Sequence, residues 1–246
     1  MNREHFWKIR SANYDKLFWA KDISYIDALI KSAMLKKNDI VLDVGCGTGI
    51  VTHMIKPFVK HVVGIDISDA MLKKGKWEGI SVIKWDISNS LFTNEIFDKI
   101  LARMVFHHIL DDLDNVVSRC YGLLKKRGVI IIAEGIPPAD DAETVEWYTK
   151  MFKFKEDRCT FKSNDIAVYL KNNGFSNVKK LIYAMENFSV KNWLENSDID
   201  RRNQKKIMDM HLNAPQKIKD VYNMRIVKND CLIRTKNIIT TGKKKG

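Results

Sequence analysis

An aspartate and three glycines alternate in Asp43-x-Gly45-x-Gly47-x-Gly49, within the stretch VLDVGCGTGI at positions 41–50. Glycine carries a backbone entropy cost, so three in one turn mean positive φ angles or close approach of another molecule to the main chain. Such a turn between a first strand and a first helix is the usual cradle for a phosphate or nucleotide in an open α/β sheet. The dinucleotide fingerprint G-x-G-x-x-G is not met, because its sixth place falls on Ile50. Asp43 repels a pyrophosphate but suits a cationic amino group. Two further acids, Asp66 and Asp86, end apolar runs. A carboxylate at a strand end can accept both hydroxyls of a ribose, as it does for NAD, or simply cap the next helix. His107 and His108 stand side by side after another apolar run. Histidine is the natural base near neutral pH, and adjacent side chains point apart, so at most one faces a reacting group. The other readings are a helix start at His108 bonded to Asp111 or Asp112, and a core role for His107.

Short apolar runs at 40–45, 61–67, 81–86, 97–104 and 129–134 alternate with helical patterns at 49–58, 70–76 and 113–126. This alternation predicts a mainly parallel sheet with helices on both faces. Lys125, Lys126 and Arg127, followed by Gly128, read as the last turn and stop of a helix. Residues 14–35 form an amphipathic stretch before the first strand. After Pro137-Pro138 helices are expected at 142–155 and at 163–172, the latter capped by Ser163 and stopped by Gly174. A strand at 178–188, helical segments over 190–223 and a closing strand at 230–241 suggest an antiparallel edge with a helical insertion folded over a cleft. The expected organisation is one domain over 1–246. It comprises an N-terminal helical lid (1–38), a core (39–135) and a C-terminal half (136–246), with lid helices at 139–155 and the insertion at 190–223.

The chain has 246 residues, 45% of them hydrophobic and 29% charged, and four cysteines without C-x-x-C spacing. A disulfide framework and a cysteine zinc site are therefore not expected, and no metal is assigned. No apolar run reaches the roughly 20 residues of a membrane span, and MNREHFWKIR lacks signal-peptide features, so a reduced cytoplasmic protein is expected. The net charge is +12, and residues 201–246 hold thirteen Lys or Arg against three Asp. That tail is either a solvated basic extension or a surface for phosphate, nucleic acid or an acidic partner.

The ordered motifs resemble the class I S-adenosylmethionine-dependent methyltransferases, most closely the small-molecule branch that includes the ubiquinone/menaquinone enzymes. VLDVGCGTG resembles the family's first motif, and VVGIDIS, WDIS, FDKILARMVFHHILD and LLKKRGVIIIAEG resemble those that follow. The resemblance covers about 14–135 and implies a Rossmann-like, seven-stranded, mainly parallel sheet with an antiparallel last strand. It implies that S-adenosylmethionine is the cofactor and S-adenosylhomocysteine the product. Implied contacts are Gly45, Cys46 and Gly47 at the methionine part, with Asp43 beside them, and Asp66 and Ile67 at the ribose. Asp86 and Ile87 fall at the adenine, with Met71 beneath it or in the core. Arg103 reaches the cofactor carboxylate or the substrate, or pairs with an acid. Tyr14, in SANYDKLF, resembles the segment that closes over the sulfonium, where an aromatic face gives a cation–π contact. His107 and His108 become the candidate catalytic residues. Trp147, Tyr148, Phe152 and Phe154 either enclose the acceptor or bury the lid.

ARMVFHH stands where base- and glutamine-N-methylating relatives carry Asn/Asp-Pro-Pro-Tyr/Phe, and clustered cysteines for arsenic chemistry are missing. The expected reaction is O- or C-methylation of a small organic acceptor by a monomer or homodimer. Alternatives are carboxyl O-methylation of a phosphonate or carrier-bound acid, with Arg201, Arg202, Lys205 and Lys206 at the mouth, and an RNA-directed enzyme using the basic tail. A cofactor-binding partner subunit without catalysis is a third, and an NAD oxidoreductase fits least.

Overall fold

The computed structural model describes residues 3–89 and 92–246 and the side chains from Trp7 onward. Strand β1 (Ile40–Val44) sits in the middle of the sheet, paired in parallel with β2 (His61–Asp66) on one side and β4 (Phe97–Arg103) on the other. β3 (Ser81–Lys84) extends the sheet beyond β2, and β5 (Leu124–Ile136) lies beyond β4, both in parallel. β8 (Asp230–Lys243) runs antiparallel between β5 and β6 (Ser176–Ser189). The order is β3-β2-β1-β4-β5-β8-β6, with the short β7 (Arg225–Val227) as an eighth strand on the end of β8. Among the described residues the sheet has eight strands rather than the expected seven, because the helical insertion returns through a tight hairpin.

Alternation within the central strands divides the core. Leu42, Val44, Ile100, Ala102, Ile130 and Ile132 face α5 (Leu113–Leu123) and α7 (Asp165–Asn172). Val41, Leu101, Ile131 and Ala133 face α2 (Ile23–Ala33) and α3 (Ile50–Ile55). A third apolar cluster lies over the carboxyl end of the sheet. It joins Leu17 and Ala20 to α6 (Ala142–Lys153), α8 (Val190–Asn196), α9 (Arg201–Leu212), α10 (Gln216–Val221) and β8. Asp141, Ser189 and Asp200 cap α6, α8 and α9 by accepting backbone N–H groups.

Several expectations shift locally. The 14–35 stretch is two 3-10 turns followed by α2, because Asp22 adopts an extended conformation and caps a new helix at Tyr25 N, 2.8 Å away. A helix α1 (Arg3–Ser11) precedes them, and α4 (Asp69–Leu72) is shorter than expected. α5 stops at Leu123, and Leu124 pairs with Phe97, so Lys125 to Gly128 belong to a strand start rather than a helix end. Lys125 reaches Asp98 there at 2.9 Å. Ser163 does not cap α7; its hydroxyl donates to Asp140, and Asn164 takes the cap position without a side-chain bond. Among the described residues no helix is long and apolar enough to cross a membrane.

Candidate active site

The strand order reverses between β1 and β4, and ligands of open α/β sheets settle in the crevice at the carboxyl ends beside such a reversal. The glycine turn lies there. Gly45, Gly47 and Gly49 all have positive φ, at 67°, 57° and 89°. A Cβ on Gly45 would stand 2.3 Å from Val105 Cγ2, whereas one on Gly47 would meet no protein atom within 4 Å. The turn thus packs on one side and leaves its other side open to a ligand.

The open side borders a cavity of about 460 Å³. Gly45, Gly47, Asp66, Ile67, Met71, Asp86, Ile87, Arg103, Tyr14 and His108 all line it. Asp66 Oδ2 accepts from Gly47 N at 2.9 Å and Oδ1 from Ser68 N at 2.8 Å, which ties the second strand to the turn. Burial pushes the Asp66 carboxyl up, against these backbone donors. Asp86 Oδ1 accepts from Ser88 N at 2.9 Å. The indole N–H of Trp85, also in the wall, is buried without a partner.

Asp43 and Cys46 instead line a recess of about 20 Å³ at the other flank of the turn, together with Tyr14, Thr48 and Arg103. Asp43 is 3% exposed, and its Oδ2 accepts the Thr52 hydroxyl at 2.6 Å. Burial pushes Asp43 up to about 6, opposed by Thr52 and Arg103. A raised carboxyl means that the folded state holds the proton more tightly than the unfolded one. Stability from this group is complete below about pH 4 and is lost as pH rises through about 6. The unfolding free energy of wild type relative to Asp43→Asn is therefore expected to gain about 1 kcal/mol between pH 7.5 and pH 5. Urea titrations at the two pH values check this, and a gap that does not move would contradict the assigned burial effect.

Cys46 is buried and its thiol is pushed up by burial and by Asp43 and Asp66, so it is an inert packing group. Arg103 donates to Ala20 O at 3.0 Å and lies over Trp19 and Tyr25, holding the N-terminal segment against the end of β4. Thr48 donates to Asp15 at 3.0 Å and draws the same segment to the glycine turn.

A second cavity, of about 130 Å³, adjoins the first. Trp7, Tyr14, Met104, His108, Lys155 and Glu156 line both. Met104 has φ 59°, a left-handed conformation rare for this residue type, held by its N–H to Ala133 O at 2.8 Å. His107 faces the second cavity and not the first. Neither histidine starts a long helix; both lie in a 3-10 turn, Phe106–His108, and α5 begins five residues later. Tyr148 and Phe152 line this second cavity and Phe154 the first, while Trp147 packs against His211 and Tyr222.

Glu134, which the sequence reading passed over, organises the histidines. It is fully buried at the end of β5. Its Oε1 accepts from Val105 N at 2.9 Å and Phe106 N at 2.7 Å, and its Oε2 takes the Nδ1–H of His107 at 2.6 Å. That bond orients the ring, with Nε2 3.9 Å from Glu156 Oε1. Burial pushes Glu134 up to about 7 and pushes both histidines well down, with Arg158 adding to the effect on His107. Both rings are therefore neutral at pH 7.

Also missed were Arg10, Lys155, Glu156 and Arg158. Arg10 Nη1 meets Glu156 Oε2 at 2.7 Å, and Lys155 Nζ meets the same oxygen at 2.5 Å. The run KFKEDR looks like a solvated charged stretch, and its burial depends on the α6 loop folding under the N-terminal helix. The expected mouth residues Arg201, Arg202 and Lys205 are exposed on α9, and Lys206 lies over Phe154; of that helix Asn203 reaches the first cavity.

The family profile described as "Methyltransferase domain" matches residues 42–132, the span that supplies most of the first cavity's lining. A relative in Methanocaldococcus jannaschii, named only as an uncharacterized protein, is 31% identical over 171 residues, covering 68% of this chain and 78% of its own. The chain belongs to the class I S-adenosylmethionine-dependent methyltransferases. An uncharacterized methyltransferase of Mycobacterium bovis is 28% identical over 125 residues, covering 49% of this methyltransferase-family chain and 62% of the relative's length. The YcgJ protein of Bacillus subtilis shares the fold at TM-score 0.78 and 17% identity, over 91% of this chain and 99% of its own. The cofactor of the family, S-adenosylmethionine, is the cofactor of this methyltransferase-fold chain. The residues fit it: the space a Gly47 side chain would fill is open, the acids Asp66 and Asp86 line the same cavity as the turn, and the unpartnered Trp85 N–H stands in the wall.

Proposed function

We propose that this chain transfers a methyl group to oxygen or carbon of a small organic acceptor seated in the second cavity. The observation that carries the reading is the meeting of the two cavities at Tyr14, Met104 and His108. A cavity of about 130 Å³ is well below the roughly 300–1,000 Å³ of sites for drug-sized ligands, which favours a small acceptor. Bound there, S-adenosylmethionine would supply an electrophilic sulfonium methyl for transfer to the acceptor.

The chain's own work is alignment and exclusion of water. Gly45 and Gly47 admit the methionine part, Arg103 stands near its carboxylate, and Asp43 supports the turn from its other flank through Thr52. Asp66 accepts the ribose hydroxyls, and Asp86 and Ile87 flank the adenine above Met71. Tyr14 closes over the sulfonium. The neutral imidazole of His107, oriented by Glu134, or that of His108 takes the acceptor's proton where the acceptor must lose one. On this reading residues 39–135 hold the cofactor, and residues 1–38 and 136–246 enclose the acceptor.

The test uses methyl-labelled S-adenosylmethionine with the purified chain and a cell extract freed of endogenous cofactor. Label is expected in the small-molecule fraction and absent with Asp66→Ala. Label in RNA would replace this reading with an RNA-directed one, centred on the basic C-terminal surface.

A further inference from the structure

The walls of the second cavity are formally cationic. Among the described residues, Arg10, Lys155, Arg158 and Lys236 line it, against one carboxylate, Glu156. The other buried acid nearby, Glu134, is already engaged by Val105 N, Phe106 N and His107. Arg158 is the informative member. Its side chain is 3% exposed, and its guanidinium lies 4.2 Å from the Phe152 ring centre. Of its five N–H donors, Nε makes a long bond of 3.4 Å to Cys159 O, and Nη1 is 3.6 Å from Glu156 Oε1, beyond hydrogen-bond reach. Nη2 is buried with no partner. A guanidinium taken out of water with most of its donors unused is a costly arrangement. Four more buried atoms without partners belong to residues of the same cavity: Tyr25 Oη, Glu156 Oε1, His211 Nε2 and Tyr222 Oη.

A metal ion does not answer this. His107, His108 and Glu156 do bring three donor groups within 4.8 Å of one another. Yet the Glu156 carboxylate is already engaged by Arg10 at 2.7 Å and Lys155 at 2.5 Å, so a divalent cation would enter beside the Arg10 guanidinium. An oxyanion enters with the cationic groups. A carboxylate or phosphate matches the guanidinium fork with two parallel N–H···O bonds, the geometry in which arginine exceeds lysine.

We propose that the acceptor is a small organic oxyanion, anchored by its carboxylate or phosphate on Arg158 with Lys155 alongside, and that its apolar body lies against Tyr148, Phe152 and Trp193. The inference rests on the second cavity being the acceptor site, as proposed above. It also moves the acidic-substrate contact from the exposed arginines of α9 to a buried loop after α6.

The test is calorimetric, on the full chain with and without S-adenosylhomocysteine. Benzoate, phenyl phosphate and the uncharged benzamide serve as probes. At least one acid is expected to bind at least about tenfold more tightly than benzamide, and the better of the two identifies carboxylate or phosphate. Arg158→Gln should weaken that acid by about tenfold or more, Arg158→Lys by less, and both should keep S-adenosylhomocysteine affinity within about twofold. Benzamide binding as well as the acids, neither acid binding, or unchanged acid affinity in Arg158→Gln would each overturn the proposal. Failure of the wild type to bind S-adenosylhomocysteine would instead strike the cofactor assignment, because the acid titration is read independently on the cofactor-free chain.

Discussion

Glu134→Ala is expected to lower the unfolding free energy by about 4 kcal/mol. The substitution leaves Val105 N and Phe106 N, which now bond Oε1 at 2.9 and 2.7 Å, without an acceptor. Each stranded buried donor costs roughly 1–3 kcal/mol. His107 loses its 2.6 Å partner at the same time, and its ring is no longer fixed. Glu134→Gln keeps an oxygen for the two backbone groups but turns an amide N–H toward Nδ1, so it should recover about half of the loss. Urea unfolding of the three proteins at pH 7 measures the series. A penalty below about 1 kcal/mol for the alanine variant would mean that the turn after β4 is held by its packing and not by this carboxylate.

Asp66→Ala is expected to weaken S-adenosylhomocysteine binding by about 10²- to 10⁴-fold, read as the dissociation constant by calorimetry. On the proposed site, the carboxylate accepts two ribose hydroxyls, and hydrogen bonds to an ionised group are worth roughly 1.5–3 kcal/mol each. It also anchors Gly47 N at 2.9 Å, so its removal loosens the turn that meets the methionine part. Asp66→Asn keeps one accepting oxygen and should lose less. A change under tenfold for the alanine variant would remove Asp66 from the ribose contact.

Why these residues converge was largely legible in the sequence. A parallel strand buried on both faces reads as an apolar run, and its carboxyl end shows where a charged or small residue interrupts it. Asp66 and the Asp43–Gly49 turn are such interruptions. The strands at 40–45, 61–67 and 97–104 lie within a residue of their expected ends for this reason. What the sequence concealed depends on tertiary contact. Leu124 to Gly128 has the composition of a helix end, yet pairing with Phe97 draws it into the sheet. Glu134 is one acid within an apolar strand, and only the fold of the turn after β4 aims two backbone N–H groups at it. Lys155, Glu156 and Arg158 read as solvated surface, and their burial requires Arg10 to arrive from 146 positions away. The three-residue β7 is too short to leave a periodic signal.

The strands β6 and β8 are both 14 residues long, but only Lys236–Lys243 of β8 pairs with β5. The half of β8 before Lys236 therefore leaves β5 and pairs with β6 and, at its start, with β7, and it joins α8 to α10 in the third apolar cluster. A change of sequence or length in those helices leaves the β5 ladder and the glycine turn in register. On the proposed site the segment carrying them borders the acceptor, while the β5 ladder and the glycine turn serve the cofactor. If the second cavity holds the acceptor as proposed, grafting a foreign segment between β6 and β8 is a route to altered acceptor choice.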